Sequence, residues 1–530
     1  MNERPALPRW APLAWAPFAI GVVHWFGYTP DDAFITIHHA ANLVAGHGPV
    51  LQPGVRVEGA TSPAHLVLAA LVHPLAGGHQ ALGVKLASVV AAALALWRGA
   101  DLADEVLEAT WARLLARAAL AASWALVVAA VSGMETSLAI LATTELLLRL
   151  VRGDEADRPV AAGLLAAATV LVRPDAALLV AAVALPGARR AVATRSTTPV
   201  RWLAVAALPL VAVEALRRWW FGAWLPNTYW AKRGPLGSSI AAGWDYVADV
   251  AGRGSGLHPQ AAGTALATVI AAATGAALVA GAWRAARRPG LAVLPLALGA
   301  QVAVALFAGG DRNQGGRFVA PVVAAAVALV VLALESAVDR AAAARPSLGR
   351  PAAACAIALV AAATAFTWHT RPAPAWPTGR DPLGDHALVA ATGEVWADAP
   401  AMLGCAAPGW TVAWTEMGYG PWARRDLRYL DLRGLVDRPI ATGAPRRDHD
   451  ASGVRDPEWS GGEGFVVRQL LARRPEVLIT NGPPVTSGPV ARAYVPVRTW
   501  RFRRSPTSTQ EQATVHVRRD LTDQVRCPAR

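Results

Sequence analysis

Charge is scarce in this sequence, and cysteine scarcer still. Of its 530 residues only 16% are charged and three are cysteine, where a soluble domain carries about 25% charge. There is no Walker loop, no GxSxG elbow and no CxxC pair, so P-loop nucleotide hydrolysis, serine-hydrolase chemistry and thiol redox catalysis lack their residues. His38, His39 and His47 stand without the cysteines or ligand frame of a metal centre and read as surface histidines. Gly252-Arg253-Gly254-Ser255-Gly256 follows no strand and reads as a loop.

What is present is apolar. Hydrophobic residues make up 54% and the mean hydropathy is positive. Apolar runs recur from Trp10 to Trp368, many near the roughly 20 residues that cross a bilayer. The expected fold is an α-helical polytopic membrane protein of about 11 spans, residues 1–369, followed by a soluble α/β domain, residues 370–530. The N-terminus MNERPALPRW shows no convincing cleavage site and reads as the start of a retained signal anchor. Pro63–Leu75 is too short to cross and reads as interfacial or re-entrant.

The formal charge of +13 does not point to nucleic acid, because the arginines gather in short connectors. With the N-terminus in the cytoplasm, the connectors after the even-numbered spans are cytoplasmic. Four of the five are arginine-rich, as the positive-inside rule requires; Arg98 to Arg113 mixes in acids, which weigh little in that rule. Every polar island then falls on the opposite face, together with the tail: Asp31-Asp32, EGATSP (58–63), SGMET (132–136), Arg173-Pro174-Asp175, LPNTYWAK (225–232) and GGDRNQGGR (309–317).

Acids beside a membrane span are by default a functional site. Asp31 and Asp32 precede a helix-like stretch, Ala33 to Ala45, whose Phe34, Ile35, His38, Ala41 and Leu43 suggest a helix lying on the membrane surface. One aspartate would suffice as an N-cap. Ser132 and Glu135 also fit a capping box, and Pro174-Asp175 a helix start. Carboxylates with arginines and a lysine at the rim of an apolar bundle suit a lipid-linked phosphate: the chain lies along the spans and the cations hold the phosphate. On this reading Asp31 and Asp32 are catalytic or would bind a divalent cation, no other cofactor being indicated. Lys232, Arg173, Arg312, Arg317 and Asn227 hold the donor phosphate. Glu58, Thr61, Ser62, Glu135, Tyr229 and Asp311 contact substrate.

The stretch PDDAFITIHHAANLVAGHGPVLQPGVRVEGATSP resembles the first outer loop of the GT-C glycosyltransferases that use polyprenyl-phosphate sugars, and most closely the terminal β-(1→2)-arabinofuranosyltransferases of cell-wall arabinan. SGMET, VRPDA, LPNTYWAK, GGDRNQGGRFVAP and, in the tail, TEMGYGPWARRDLRYLDLRGLVDRPIA resemble further blocks in the same order. The resemblance implies a plasma-membrane, multi-pass enzyme with an extracytoplasmic active site, catalytic acids at Asp31 and Asp32, a decaprenyl-phospho-arabinofuranose donor, and an arabinogalactan or lipoarabinomannan acceptor. Ala60 stands where the family favours an aromatic. A transporter of lipid-linked glycans is the competing class, but it calls for polar groups near mid-bilayer and often inverted repeats; a non-catalytic scaffold presenting the tail is a third.

In the tail, TVAWTE, LRYLDL, EVLIT, YVPVRTW and TVHVRR read as strands from their β-branched and aromatic content, and Val467 to Arg473 as a helix. Trp396, Trp410, Trp414, Tyr419 and Trp422 fit sugar stacking or a core equally. Cys355 lies in an apolar run. Cys405 and Cys527 lie in the tail, where a disulfide forms if the tail is outside the cytoplasm.

Overall fold

The computed structural model describes residues 7–9, 11–195, 197–253, 264–288, 290–311, 313, 315–369, 374–378, 380–392, 398–443, 449–450, 453–454, 464–502, 511–525 and 527. Helices dominate as far as His369 and strands appear only beyond it. Among the described residues four helices are long and apolar enough to cross a membrane, within Gln80–Val106, Thr268–Ala286, Ala320–Ala344 and Pro346–Ala365. The helices Thr110–Ala121 and Trp124–Val131 form a pair bent by 41°. Shorter apolar helices include Pro63–Leu75, Pro159–Val172 and Val293–Ala308.

Gln80–Val106 is the axis of the bundle. It packs on Thr136–Arg152, Trp124–Val131 and Val323–Ala344. Its buried face is Ala91, Ala92, Ala95, Leu96, Gly99 and Ala103, small residues that let helices approach closely where lipid supplies no hydrophobic drive between them. At the outer edge Trp25 meets Trp124 edge-on at 4.1 Å, and Trp124 meets Trp368 at 5.5 Å. The Trp368 indole N–H donates to the Ala122 carbonyl at 3.0 Å, so the aromatic contact carries its polar atom satisfied.

All five segments expected as strands are strands. They are β1 (Thr411–Trp414), β2 (Arg428–Asp431), β5 (Val477–Thr480), β6 (Tyr494–Phe502) and β7 (Glu511–Arg518); β3 (His449–Asp450) and β4 (Gly453–Val454) form a separate two-residue ladder. The main sheet runs β2-β1-β5-β7-β6. β1 is parallel to β2 and β5, and β7 is antiparallel to β5 and β6. Alternation divides the sheet between two cores. Ala413, Leu430 and Leu478 face the helix Phe465–Arg473, while Val412, Trp414, Val477, Ile479 and Val515 share a core with Phe34, Ile37, Ala81 and Val84 from the N-terminal region. Cys405 and Cys527 are disulfide-bonded; Cys355 is free and exposed.

That shared core corrects one expectation. The apolar face of the helix Asp31–Val44 is covered by the tail rather than left free. Ten of its residues are buried, His38 and His39 among them. Tyr419 and Trp422 of the tail cover Phe34 at 5.0 and 6.3 Å, and Trp422 lies 5.8 Å from His38. Burial holds His38 down to about 3 and His39 to about 4, so both are neutral. Only His47 is exposed, as expected of all three.

Candidate active site

Pro30 is the N-cap of the helix Asp31–Val44, and no side chain caps it. The two aspartates, in its first turn, are therefore free for other partners, and they part company. Asp31 is buried and turns to the tail, where its two oxygens accept the backbone N–H groups of Gly418 at 3.0 Å and Tyr419 at 2.7 Å. A Cβ on Gly418 would overlap Asp31, so this contact requires glycine. Asp32 turns to the bundle. Its Oδ2 accepts from Asn313 at 3.0 Å and lies 3.5 Å from Arg317, with 35% of its side chain still exposed. Burial pushes the Asp32 carboxyl up, but Arg317, Lys232, Asn313 and Arg433 outweigh it and leave it below 3.8. It is ionised at neutral pH.

Arg317 is aimed by its loop. Gly309, Gly310, Gly315 and Gly316 all adopt positive φ, between 64° and 85°, where other L-residues are strained. The Phe318 N–H donates to the Tyr246 hydroxyl at 3.1 Å, and its carbonyl accepts from Gln301 at 2.5 Å. Arg317 then meets Asp311 through two nitrogens, one at 2.9 Å to Oδ1. A second pair stands behind the first. Arg173 donates to Glu135 at 3.0 Å and to Asp175 at 3.0 Å, and its guanidinium lies 5.1 Å from the Phe318 ring. Burial raises Glu135, but Arg173 and Arg317 bring it below its ordinary value. Glu135 thus answers Arg173 rather than completing a capping box.

The other expected residues divide between site and scaffold. Lys232 is exposed, lies in the field of Arg317, Asp32, Asp311 and Glu135, and makes no hydrogen bond or ion pair among the described residues. Tyr229, one turn earlier on the short helix Asn227–Lys232, is 54% exposed. Asn227 is buried, and its amide donates to the Gly434 and Leu435 carbonyls at 2.5 and 3.0 Å. Glu58 is buried against Arg217, 2.7 Å away; burial raises its pKa more than Arg217 lowers it. Ser62 caps the helix Pro63–Val72 by accepting the His65 N–H at 3.2 Å, and Thr61 is half-buried beside it. Arg312 lies outside the described residues. Among the described residues no three His, Cys, Asp or Glu side chains group as a metal site, and Asp31 has already committed both oxygens to N–H groups. The donor set does not fit a cation shared by the aspartate pair.

Three contributors escaped the sequence reading. Lys85, fully buried in the axial helix, donates to the Phe26 carbonyl at 2.6 Å, the Tyr28 carbonyl at 2.9 Å and the Thr29 hydroxyl at 2.8 Å; a lone lysine at the start of an apolar helix was the only signal. Arg217, which holds Glu58, was not among the expected site residues. Arg433 of the tail, about 400 residues further along the chain, acts on Asp32.

Solved structures share this arrangement of the chain. ArnT from Cupriavidus metallidurans in the apo state superposes with a TM-score of 0.54 at 12% identity, over 95% of this chain and 98% of that one. The same protein bound to undecaprenyl phosphate gives 0.53 at 13%, over 96% and 98%. The chain has the ArnT fold. Together with the apolar helices, that fold makes it a membrane protein. No family model matches the sequence, and no curated protein matches it.

Proposed function

We propose that this chain is a membrane glycosyltransferase that moves a sugar from a polyprenyl-phosphate donor to a glycan acceptor. The observation that carries the reading is the asymmetry around Asp32: an ionised, partly exposed carboxylate held by Asn313 and Arg317, with the unpaired Lys232 in the same field. The undecaprenyl phosphate in one ArnT structure supports a lipid phosphate as the donor's carrier.

In this mechanism Lys232, backed by Arg317, holds the phosphate. The bond from the anomeric carbon to the phosphate oxygen breaks, and one to the acceptor hydroxyl oxygen forms. Asp32 faces the anomeric carbon and stabilises its developing positive charge. Where configuration is retained, the departing phosphate takes the hydroxyl proton. Asp31 seats the tail and takes no part in bond changes.

The finer assignment follows the sequence resemblance: arabinofuranose as the sugar, decaprenyl phosphate as the lipid and cell-wall arabinan as the acceptor. The same reading places the enzyme in the plasma membrane, treats residues 370–530 as a separate soluble domain, and puts that domain and the site outside the cytoplasm. The Cys405–Cys527 disulfide is consistent with an oxidising compartment. Purified protein given polyprenyl-phospho-arabinofuranose and a synthetic arabinofuranosyl acceptor is expected to form a longer glycan. Mannosyl and other donors in parallel test the sugar. A protein that moves the lipid across vesicles without forming product would be a transporter instead.

A further inference from the structure

The tail brings more than shape to the site. Asp31 accepts the N–H of Gly418, two residues after Glu416. Asn227, at the start of the Lys232 helix, donates to the carbonyl of Gly434, one residue after Arg433. These two bonds bring the loops after β1 and β2 to where the aspartates and the Lys232 helix meet. Glu416 and Arg433 pair across those loops at 3.3 Å, with 12% and 18% of their side chains exposed.

The pairing of Glu416 is one-sided. Arg433, the Asn481 amide at 2.8 Å and the Thr415 hydroxyl at 3.4 Å all converge on Oε1. Its Oε2 has no hydrogen-bond partner among the described residues, and it is not among the buried orphaned atoms. Asn481 is itself held, by the Trp414 indole N–H at 3.4 Å. The result is an oriented carboxylate whose charge is balanced by Arg433 and whose second oxygen is open to solvent. Such a group suits a neutral polyol. A phosphate would be repelled by the carboxylate, and Lys232 is already available for it. Charge-assisted bonds to hydroxyls are the strong ones, and a site built around them rejects ligands that lack the hydroxyl.

We propose that Glu416, oriented by Arg433 and Asn481, is a carbohydrate-binding residue supplied by the tail, its Oε2 accepting a sugar hydroxyl beside Asp32. The assignment rests on the glycosyltransferase reading. The hydroxyl belongs either to the donor's sugar or to the acceptor glycan, and kinetics with each varied in turn separates the two.

The test uses the full chain in detergent, with polyprenyl-phospho-arabinofuranose as donor and an octyl arabinofuranoside oligosaccharide as acceptor. Glu416→Gln is expected to raise KM for one of the two by about tenfold or more, leaving Tm and the binding of sugar-free polyprenyl phosphate unchanged. Glu416→Asp keeps the charge but draws the oxygens back by one carbon, and is expected to raise the same KM by less than Glu416→Gln does. Unchanged KM for both substrates in folded Glu416→Gln would overturn the assignment and leave the pair structural. If the unmodified protein forms no product, the glycosyltransferase reading itself has failed, and binding of the oligosaccharide to unmodified and Glu416→Gln protein decides the subsite on its own.

Discussion

Ion pairs gather around both ends of the axial helix Gln80–Val106, and the two groups differ. At its C-terminal end Arg98 meets Asp101 and Glu145, Arg149 meets Glu145 at 2.9 Å, Arg152 meets Glu105 at 2.9 Å, and Arg113 and Arg117 share Asp104. Two of them, Arg98–Asp101 and Arg149–Glu145, are one helical turn apart. At the other end, about 40 Å away at 1.5 Å per residue, local pairs such as Arg173–Asp175 and Arg317–Asp311 stand beside contacts between distant stretches: Asp32 to Asn313 and Arg317, Glu135 to Arg173, Glu58 to Arg217. The first network is closed. The second leaves Asp32 partly exposed and Lys232 unpaired. Closed pairs fix connectors, while an open network keeps charge available to a ligand.

The largest effect that would sharpen this contrast is Asp32→Asn. Product formation is expected to fall by at least about a thousandfold with Tm nearly unchanged; near-normal turnover would remove Asp32 from the chemistry. Lys232→Ala comes next, raising donor KM by about ten- to a hundredfold with a smaller change in kcat; equal loss with a neutral lipid analogue would show that Lys232 does not read phosphate. Asp31→Asn weakens two charge-assisted bonds, each worth about 1.5–3 kcal/mol. Faster amide exchange at residues 416–423 should accompany a partial loss of activity. Arg117→Ala, in the closed network, should lower Tm and leave kcat and KM alone; a change in donor KM would break the contrast.

Asp32 has a folded pKa below 3.8, so the stability its ionised form contributes is present above the unfolded value and is lost as pH falls through the folded one. The acid limb of kcat/KM governed by Asp32 should lie below pH 3.8, and Asn313→Ala should move it upward. An acid limb that stays in place would detach Asn313 from Asp32.

Composition alone exposed the apolar helices, the arginine connectors and the strands, because each is a local property of hydropathy or β-branching. The polar islands were legible too, since glycines and charges interrupt apolar runs. What was not legible was which acid meets what. Asp31 and Asp32 are adjacent in sequence, yet one answers the tail and the other the loop at 313–317. Asn227 looked like a ligand and serves the loop at 434–435 instead. His38 looked exposed because Trp422, which lies against it, is far along the chain. Helix periodicity shows that a face exists but not what lies on it.

Lys85 gives the axial helix a mechanical role. Its ammonium grips the backbone at Phe26 and Tyr28 and the Thr29 side chain, just before the acid pair begins. With Lys85 as the pin, the segment that leads into the acid pair is tied to the axial helix, so the placing of Asp31 and Asp32 follows that helix.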